Sequence, residues 1–140
     1  MHLTWVLTLL FVIDVQSQSQ AYTLPEGSVS EGKIAFIELS CNACHAVGDV
    51  KRARSAEEDI MVVLGVPNNG EMTYGNLVTS IIDPSHKVAP KYRKAYMTAA
   101  GESKMLTYSD VIMVQELIDL VAFLQDEYGI ETPKNCDCTH

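Results

Sequence analysis

The chain has 140 residues, 47% of them apolar and 20% charged, which is enough for one domain with its own core and too little for two ordinary ones. A formal net charge of −8 argues against a protein that grips nucleic acid or anionic lipid through a basic face. No segment is polar or repetitive enough to stay unfolded for lack of a core.

Residues 1–20 read as a secretory signal peptide, with an apolar stretch from Leu3 to Ile13 and then small residues at Ser17, Ser19 and Ala21 that suit cleavage after Ser19 or Ala21. The apolar stretch is too short to span a bilayer as a helix, so stable membrane insertion is not expected. No Lys or Arg precedes it and Asp14 interrupts its end, so a retained amphipathic anchor is the alternative. Without this segment the chain carries 17 acids against 10 bases, a net of −7.

Residues 21–29 form a polar spacer containing Pro25 and Gly27. A domain is expected over residues 30–130. Ser30 is suited to cap a helix from Glu31 to Ser40 whose apolar side is Ile34, Phe36, Ile37 and Leu39, and this helix leads straight into Cys41-Asn42-Ala43-Cys44-His45. The charged stretch Lys51 to Asp59 follows, then an apolar run Ile60 to Val66 that ends in turn chemistry at Pro67-Asn68-Asn69-Gly70.

Helical spacing of Tyr74, Leu77, Val78, Ile81 and Ile82 predicts a second helix that Asp83-Pro84 terminates. A loop rich in Lys, Pro and Gly then extends to about Ser109, a length usually reserved for function. It contains a cationic cluster, Lys87, Lys91, Arg93 and Lys94, which reads either as a solvated loop or as a face for an acidic partner. Ser109 or Asp110 should cap the last helix, with Val111, Val114, Leu117, Ile118, Val121 and Leu124 on one stripe and Gly129 at its end. Residues 131–140 form a short tail with Cys136-Asp137-Cys138. No strand alternation and no repeat stands out, so the expected class is all-α with long loops.

Cys41-x-x-Cys44-His45 is the attachment sequence of haem c: two thiols at this spacing form thioethers to the porphyrin vinyl groups, and the next residue offers an imidazole to the iron. Covalent haem would also supply much of the core of a domain that has three Phe, six Tyr and a single Trp, Trp5, inside the signal segment. Two other chemistries use Cys-x-x-Cys. A redox dithiol expects alternating strands and helices, and a zinc site needs two more ligands, which Cys136, Cys138 and His140 can offer.

From about Ser30 to Gly129 the sequence resembles the class I c-type cytochromes, in the first helix with Gly32 and Phe36, the Cys41–His45 motif, the segment Tyr74–Val88, the Ser103-Lys104-Met105 loop and the last helix with Leu117 to Gln125. The resemblance implies a class I cytochrome c fold, in which the first and last helices cross with Gly32 and Phe36 against Leu120 and Phe123, and a single haem is enclosed by loops. It implies Cys41 and Cys44 as thioether residues, His45 as proximal iron ligand and the Pro67 carbonyl as acceptor of the imidazole N–H, a bond that orients the ring and raises its basicity.

The distal ligand decides what such a haem does, because a thioether raises the potential, a thiolate lowers it and an empty position admits gases. The resemblance implies Met105 as that ligand, although Leu106 stands where the family usually has proline. Met97 sits in the same loop, Met113, Met61 and Met72 read as packing residues, and His86 as a solvated loop residue. Cys136 and Cys138 are surplus to attachment in an exported chain, where free thiols rarely persist. They are alternative distal ligands, or cross-links or metal contacts.

The expectation is therefore a periplasmic or otherwise exported mono-haem electron carrier, not an enzyme by itself. Its partners would be redox proteins, including a dehydrogenase for which it is the electron-accepting subunit, or a second cytochrome in a pair. The alternative is a haem protein that binds nitric oxide or carbon monoxide through a displaceable Met105 or a tail thiolate.

Overall fold

The computed structural model describes residues 23–53, 60–66 and 72–133. The segment read above as a signal peptide, Pro67, and the tail cysteines Cys136 and Cys138 lie outside them. Among the described residues no helix is long and apolar enough to cross a membrane.

Among the described residues there are four α-helices: α1 (Val29–Glu38), α2 (Tyr74–Ile82), α3 (Pro90–Tyr96) and α4 (Val114–Tyr128). A 3-10 turn, Cys41–Ala43, follows α1, and two-residue strands β1 (His45–Ala46) and β2 (Val62–Val63) pair in parallel with His45 opposite Val62. The class is helical, with this one short ladder added at the motif.

Ser28, not Ser30, caps α1: its hydroxyl accepts from Glu31 N at 3.3 Å, while Ser30 has become helical and pairs its hydroxyl with that of Ser28. The helix buries Gly32, Ala35 and Phe36, a three- and four-residue stripe, and leaves Ile34 and Ile37 half exposed. It crosses α4 where Gly32 has no side chain. A Cβ at that position would stand 2.5 Å from the Asp119 carbonyl carbon and 2.7 Å from Phe123 Cβ, so glycine permits the close approach. Phe36 then meets Phe123 edge to face, ring centroids 5.8 Å apart. Buried Asp119 fastens the same crossing, since its Oδ1 accepts from Ser28 N at 2.8 Å and from Gln115 Nε2 at 3.0 Å.

The core gathers Phe36, Val47, Val50, Tyr74, Leu77, Ile81, Leu120, Val121, Phe123 and Leu124. α2 spans the expected residues, with Thr73 as its cap and Asp83 at its end. α4 starts later than the apolar stripe suggested. Ser109 spends its hydroxyl on Asp110, whereas Glu116 reaches back to Met113 N at 2.8 Å, so the helix begins at Val114 and leaves Val111 and Val114 in solvent. Gly129, at φ +62°, ends it as expected. Within the long loop, Pro90 at the first helical position starts α3, which sequence periodicity did not reveal.

Candidate haem-attachment site

The motif is held from both sides. Leu39 closes α1, Ser40 turns the chain through a left-handed conformation at φ +58°, and Cys41–Ala43 form the 3-10 turn. Downstream, Val47 and Val50 exchange backbone hydrogen bonds across a turn and are both buried in the core. Two bonds secure the middle: Ala53 N donates to Asn42 O at 2.8 Å and Arg52 Nε to Ala43 O at 3.1 Å. The five motif residues therefore have a fixed backbone on the edge of a packed core.

Cys41 and Cys44 are free and half-buried. Burial pushes the Cys41 thiol up to about 11, an effect only partly opposed by the Tyr108 hydroxyl beside it. At neutral pH Cys41 is a protonated thiol, unlike the low-pKa attacking cysteine of a dithiol oxidoreductase. Among the described residues no three His, Cys, Asp or Glu side chains form a common metal-binding group, so Cys41, Cys44 and His45 do not converge on one ion.

His45 is bonded through Nδ1 to the Val62 carbonyl at 3.3 Å. A carbonyl only accepts, so Nδ1 carries the hydrogen and the Nε2 lone pair is left available. Burial lowers the His45 pKa below its ordinary value, which favours the neutral ring that a metal requires. The hydrogen bond at His45 Nδ1 is to Val62 O; Pro67, the residue expected to supply that carbonyl, lies outside the described residues. β1–β2 pairing supplies the Val62 carbonyl, because Val62 N bonds Cys44 O at 3.0 Å and Leu64 N bonds Ala46 O at 2.8 Å, fixing β2 beside the motif.

Met105 lies half-buried in the loop between α3 and α4, its N–H on Ser103 Oγ at 3.1 Å. That loop is linked to the motif by two phenols. Tyr96 takes Lys104 N on its backbone carbonyl at 2.8 Å and donates its hydroxyl to Met61 O, next to Val62, at 3.1 Å. Tyr108 donates its hydroxyl to Leu39 O, two residues before Cys41, at 2.8 Å. Neither tyrosine, nor Val62, was singled out from the sequence; an aromatic with a polar tip three residues after Met105 was the available signal. Met97 is half-buried at the end of α3, Met72 packs on the core, Met61 and Met113 are exposed, and His86 is exposed at the end of α2. An open groove of about 790 Å³ between the N-terminal spacer and α4 contains none of these residues.

The donor set suits haem c. Two uncommitted thiols lie on one short turn, and the adjoining imidazole has Nδ1 occupied and Nε2 open. No known protein family, curated protein or solved structure matches the chain.

Proposed function

We propose that this chain is an exported mono-haem c-type cytochrome that carries single electrons between redox proteins, by itself or as the cytochrome subunit of a dehydrogenase. The observation that carries the reading is His45: its Nδ1 is bonded to Val62 O while Nε2 has no hydrogen-bond partner among the described residues, one position after two free thiols at the attachment spacing. When bound, haem c supplies a one-electron iron couple.

Cys41 and Cys44 would hold it as thioethers. Each protonated thiol, Cys41 among them, would supply both the sulfur and the hydrogen that such a link needs, so no external oxidant would be required. His45 would bind the iron through Nε2, oriented by Val62. Met105 would hold the iron from the loop between α3 and α4, and two protein ligands on the iron would make the chain an electron carrier and not a catalyst. The gas-binding alternative draws support from Leu106, which is 70% exposed where the resemblance leads one to expect a rigidifying proline.

The test is expression with a haem-maturation system, followed by haem staining on a denaturing gel and the oxidised absorption spectrum. Covalent stain plus a weak far-red iron–sulfur band that vanishes in Met105→Ala is the expected result. A colourless protein overturns the reading in favour of a dithiol or zinc module. Stain without the band, together with a spectral shift when carbon monoxide meets the reduced protein, moves it to the gas-binding alternative.

A further inference from the structure

Met105 sits on a loop that its neighbours do not hold by packing. Leu106 is largely in solvent, Lys104 is exposed, and Ser103 bridges to Met97 and donates its N–H to Ser85 Oγ, three residues beyond α2, at 3.0 Å. Among the described residues, two tyrosine hydroxyls connect this part of the chain to the elements that carry the motif, that of Tyr108 also lying beside the Cys41 thiol. Tyr96 reaches Met61 O on the β2 side and Tyr108 reaches Leu39 O on the α1 side. The two bonds are unequal. Tyr96 bonds at the surface, whereas Tyr108 is 8% exposed and bonds a carbonyl at the C-terminal end of a helix, a group that has no partner inside its own helix. Tyr108 also holds the chain beyond it, since its carbonyl accepts from Val111 N and Ile112 N at 3.0 and 2.9 Å.

We infer that Tyr108 is the positioning residue that keeps Met105 in place: by closing the end of α1 directly before Cys41, it joins the distal-ligand loop to the attachment turn and so decides between electron carriage and gas binding. This rests on the haem reading above. The physical argument is one of competing states. A loop free to lift Met105 exposes the distal position in proportion to its open population, and a gas then binds with an affinity reduced by that fraction. The buried Tyr108 bond must break, or strain, for the loop to lift; it does the job that a proline after Met105 would otherwise do by stiffening the backbone. Tyr96 assists from the other side. Its exposed bond competes with water and contributes less.

The experiment compares Tyr108→Phe with Tyr74→Phe in the haem-loaded protein. Tyr74 is an equally buried phenol whose hydroxyl accepts from Leu24 N at 2.8 Å, far along the chain from Met105, and serves as the control for losing one buried hydrogen bond. Three readouts are taken: haem stain on a denaturing gel, the far-red iron–sulfur band, and carbon monoxide titration of the reduced protein. The expected result is unchanged stain in both variants, with a weakened band and a roughly tenfold tighter apparent carbon monoxide affinity in Tyr108→Phe only, as loss of one buried hydrogen bond predicts. Tyr108→His, which returns a donor, should recover part of the band. Should Tyr108→Phe keep the parent's band and carbon monoxide response, or should Tyr74→Phe change them as much, Tyr108 has no positioning role. Absence of haem stain in the parent chain overturns the haem reading instead, and absence of the band in a stained parent overturns Met105 as ligand.

Discussion

Replacing Gly32 by alanine tests the helix crossing on which the attachment turn depends. The added Cβ would come within 2.5 Å of the Asp119 carbonyl carbon and 2.7 Å of Phe123 Cβ, where ordinary contact begins near 3.4 Å. The opposing atoms are backbone and Cβ of α4, the Asp119 carbonyl oxygen nearest of all, which no rotamer change can remove, so α1 and α4 must part by about 1 Å or more. That separation takes a quarter to a half of the dispersion energy from contacts across the gap, including the Phe36–Phe123 pair, and places the cost at the upper end of the overpacking range, about 3 kcal/mol. Alanine returns about 1 kcal/mol as a better helix former, leaving a net loss of about 2 kcal/mol. In a domain of this size that lowers Tm by roughly 8–16 °C. Thermal and urea unfolding followed by circular dichroism measure it, with Gly75→Ala as control: Gly75 lies in α2 with nothing within 4 Å of a built Cβ, and its replacement should be neutral or slightly stabilising. If the two variants change stability equally, the close crossing at Gly32 does not constrain the fold and the argument fails.

Three other outcomes follow from the site and its supports. Asp119→Ala leaves Ser28 N without its acceptor at the start of α1 and should cost about 1–3 kcal/mol by urea unfolding, while Asp119→Asn, which retains an acceptor oxygen, should cost less. In the haem-free protein Cys41 should react with iodoacetamide at pH 8 about tenfold more slowly than a model thiol, because a pKa near 11 cuts the thiolate fraction about a hundredfold and the more basic thiolate regains part of that; mass spectrometry of tryptic peptides reads the rate. His45 in the haem-free protein has a pKa below the ordinary 6.5, so between the two values the unfolded chain binds more protons than the folded one. Its contribution to stability is therefore full above about pH 6.5 and declines as the pH falls towards the folded value, a slope that His45→Gln should flatten in urea titrations across that window.

The sequence and the structure agree where one local rule is sufficient. α2 could be read residue by residue, since an apolar three- and four-residue spacing ends at a residue before proline, and Tyr74, Leu77 and Ile81 are buried as that spacing requires. The end of α4 at Gly129 was legible for the same reason. The starts of α1 and α4 were not, because the residue that begins each is chosen by a side-chain partner that no local pattern marks. Ser28 prevails over Ser30 since Asp119, ninety-one residues away, holds its backbone, and Met113 over Ser109 since Glu116 closes back on it. In α1 the apolar count pointed to Ile34, Phe36, Ile37 and Leu39; Phe36 is buried, but Ile34 and Ile37 are half exposed and the buried stripe runs through Gly32, where the closeness of α4 matters more than side-chain hydropathy. Cys41, Cys44 and His45 could be named together from the sequence because they are contiguous.

What the sequence could not supply is what orients that cluster, and this follows from the distances in the chain over which orientation is achieved. The Val62 carbonyl lies 17 residues from His45, and the Tyr108 hydroxyl acts on Leu39 across 69 residues. Both are interactions with a backbone carbonyl, to which any residue type can contribute, so neither leaves a mark on sequence pattern at the receiving end. The two supports also have different consequences. On the proposed haem reading, Val62 would act on the side of His45 and set its basicity, whereas Tyr108 would act through the loop on the side of Met105 and set whether that side stays closed. A substitution that weakens the first should alter the reduction potential while leaving Met105 bound, and one that weakens the second should open the iron to small ligands with His45 unchanged. Separate responses of potential and carbon monoxide affinity in the two classes of variant are what distinguish a site built from two independent supports from one in which the motif alone determines the chemistry.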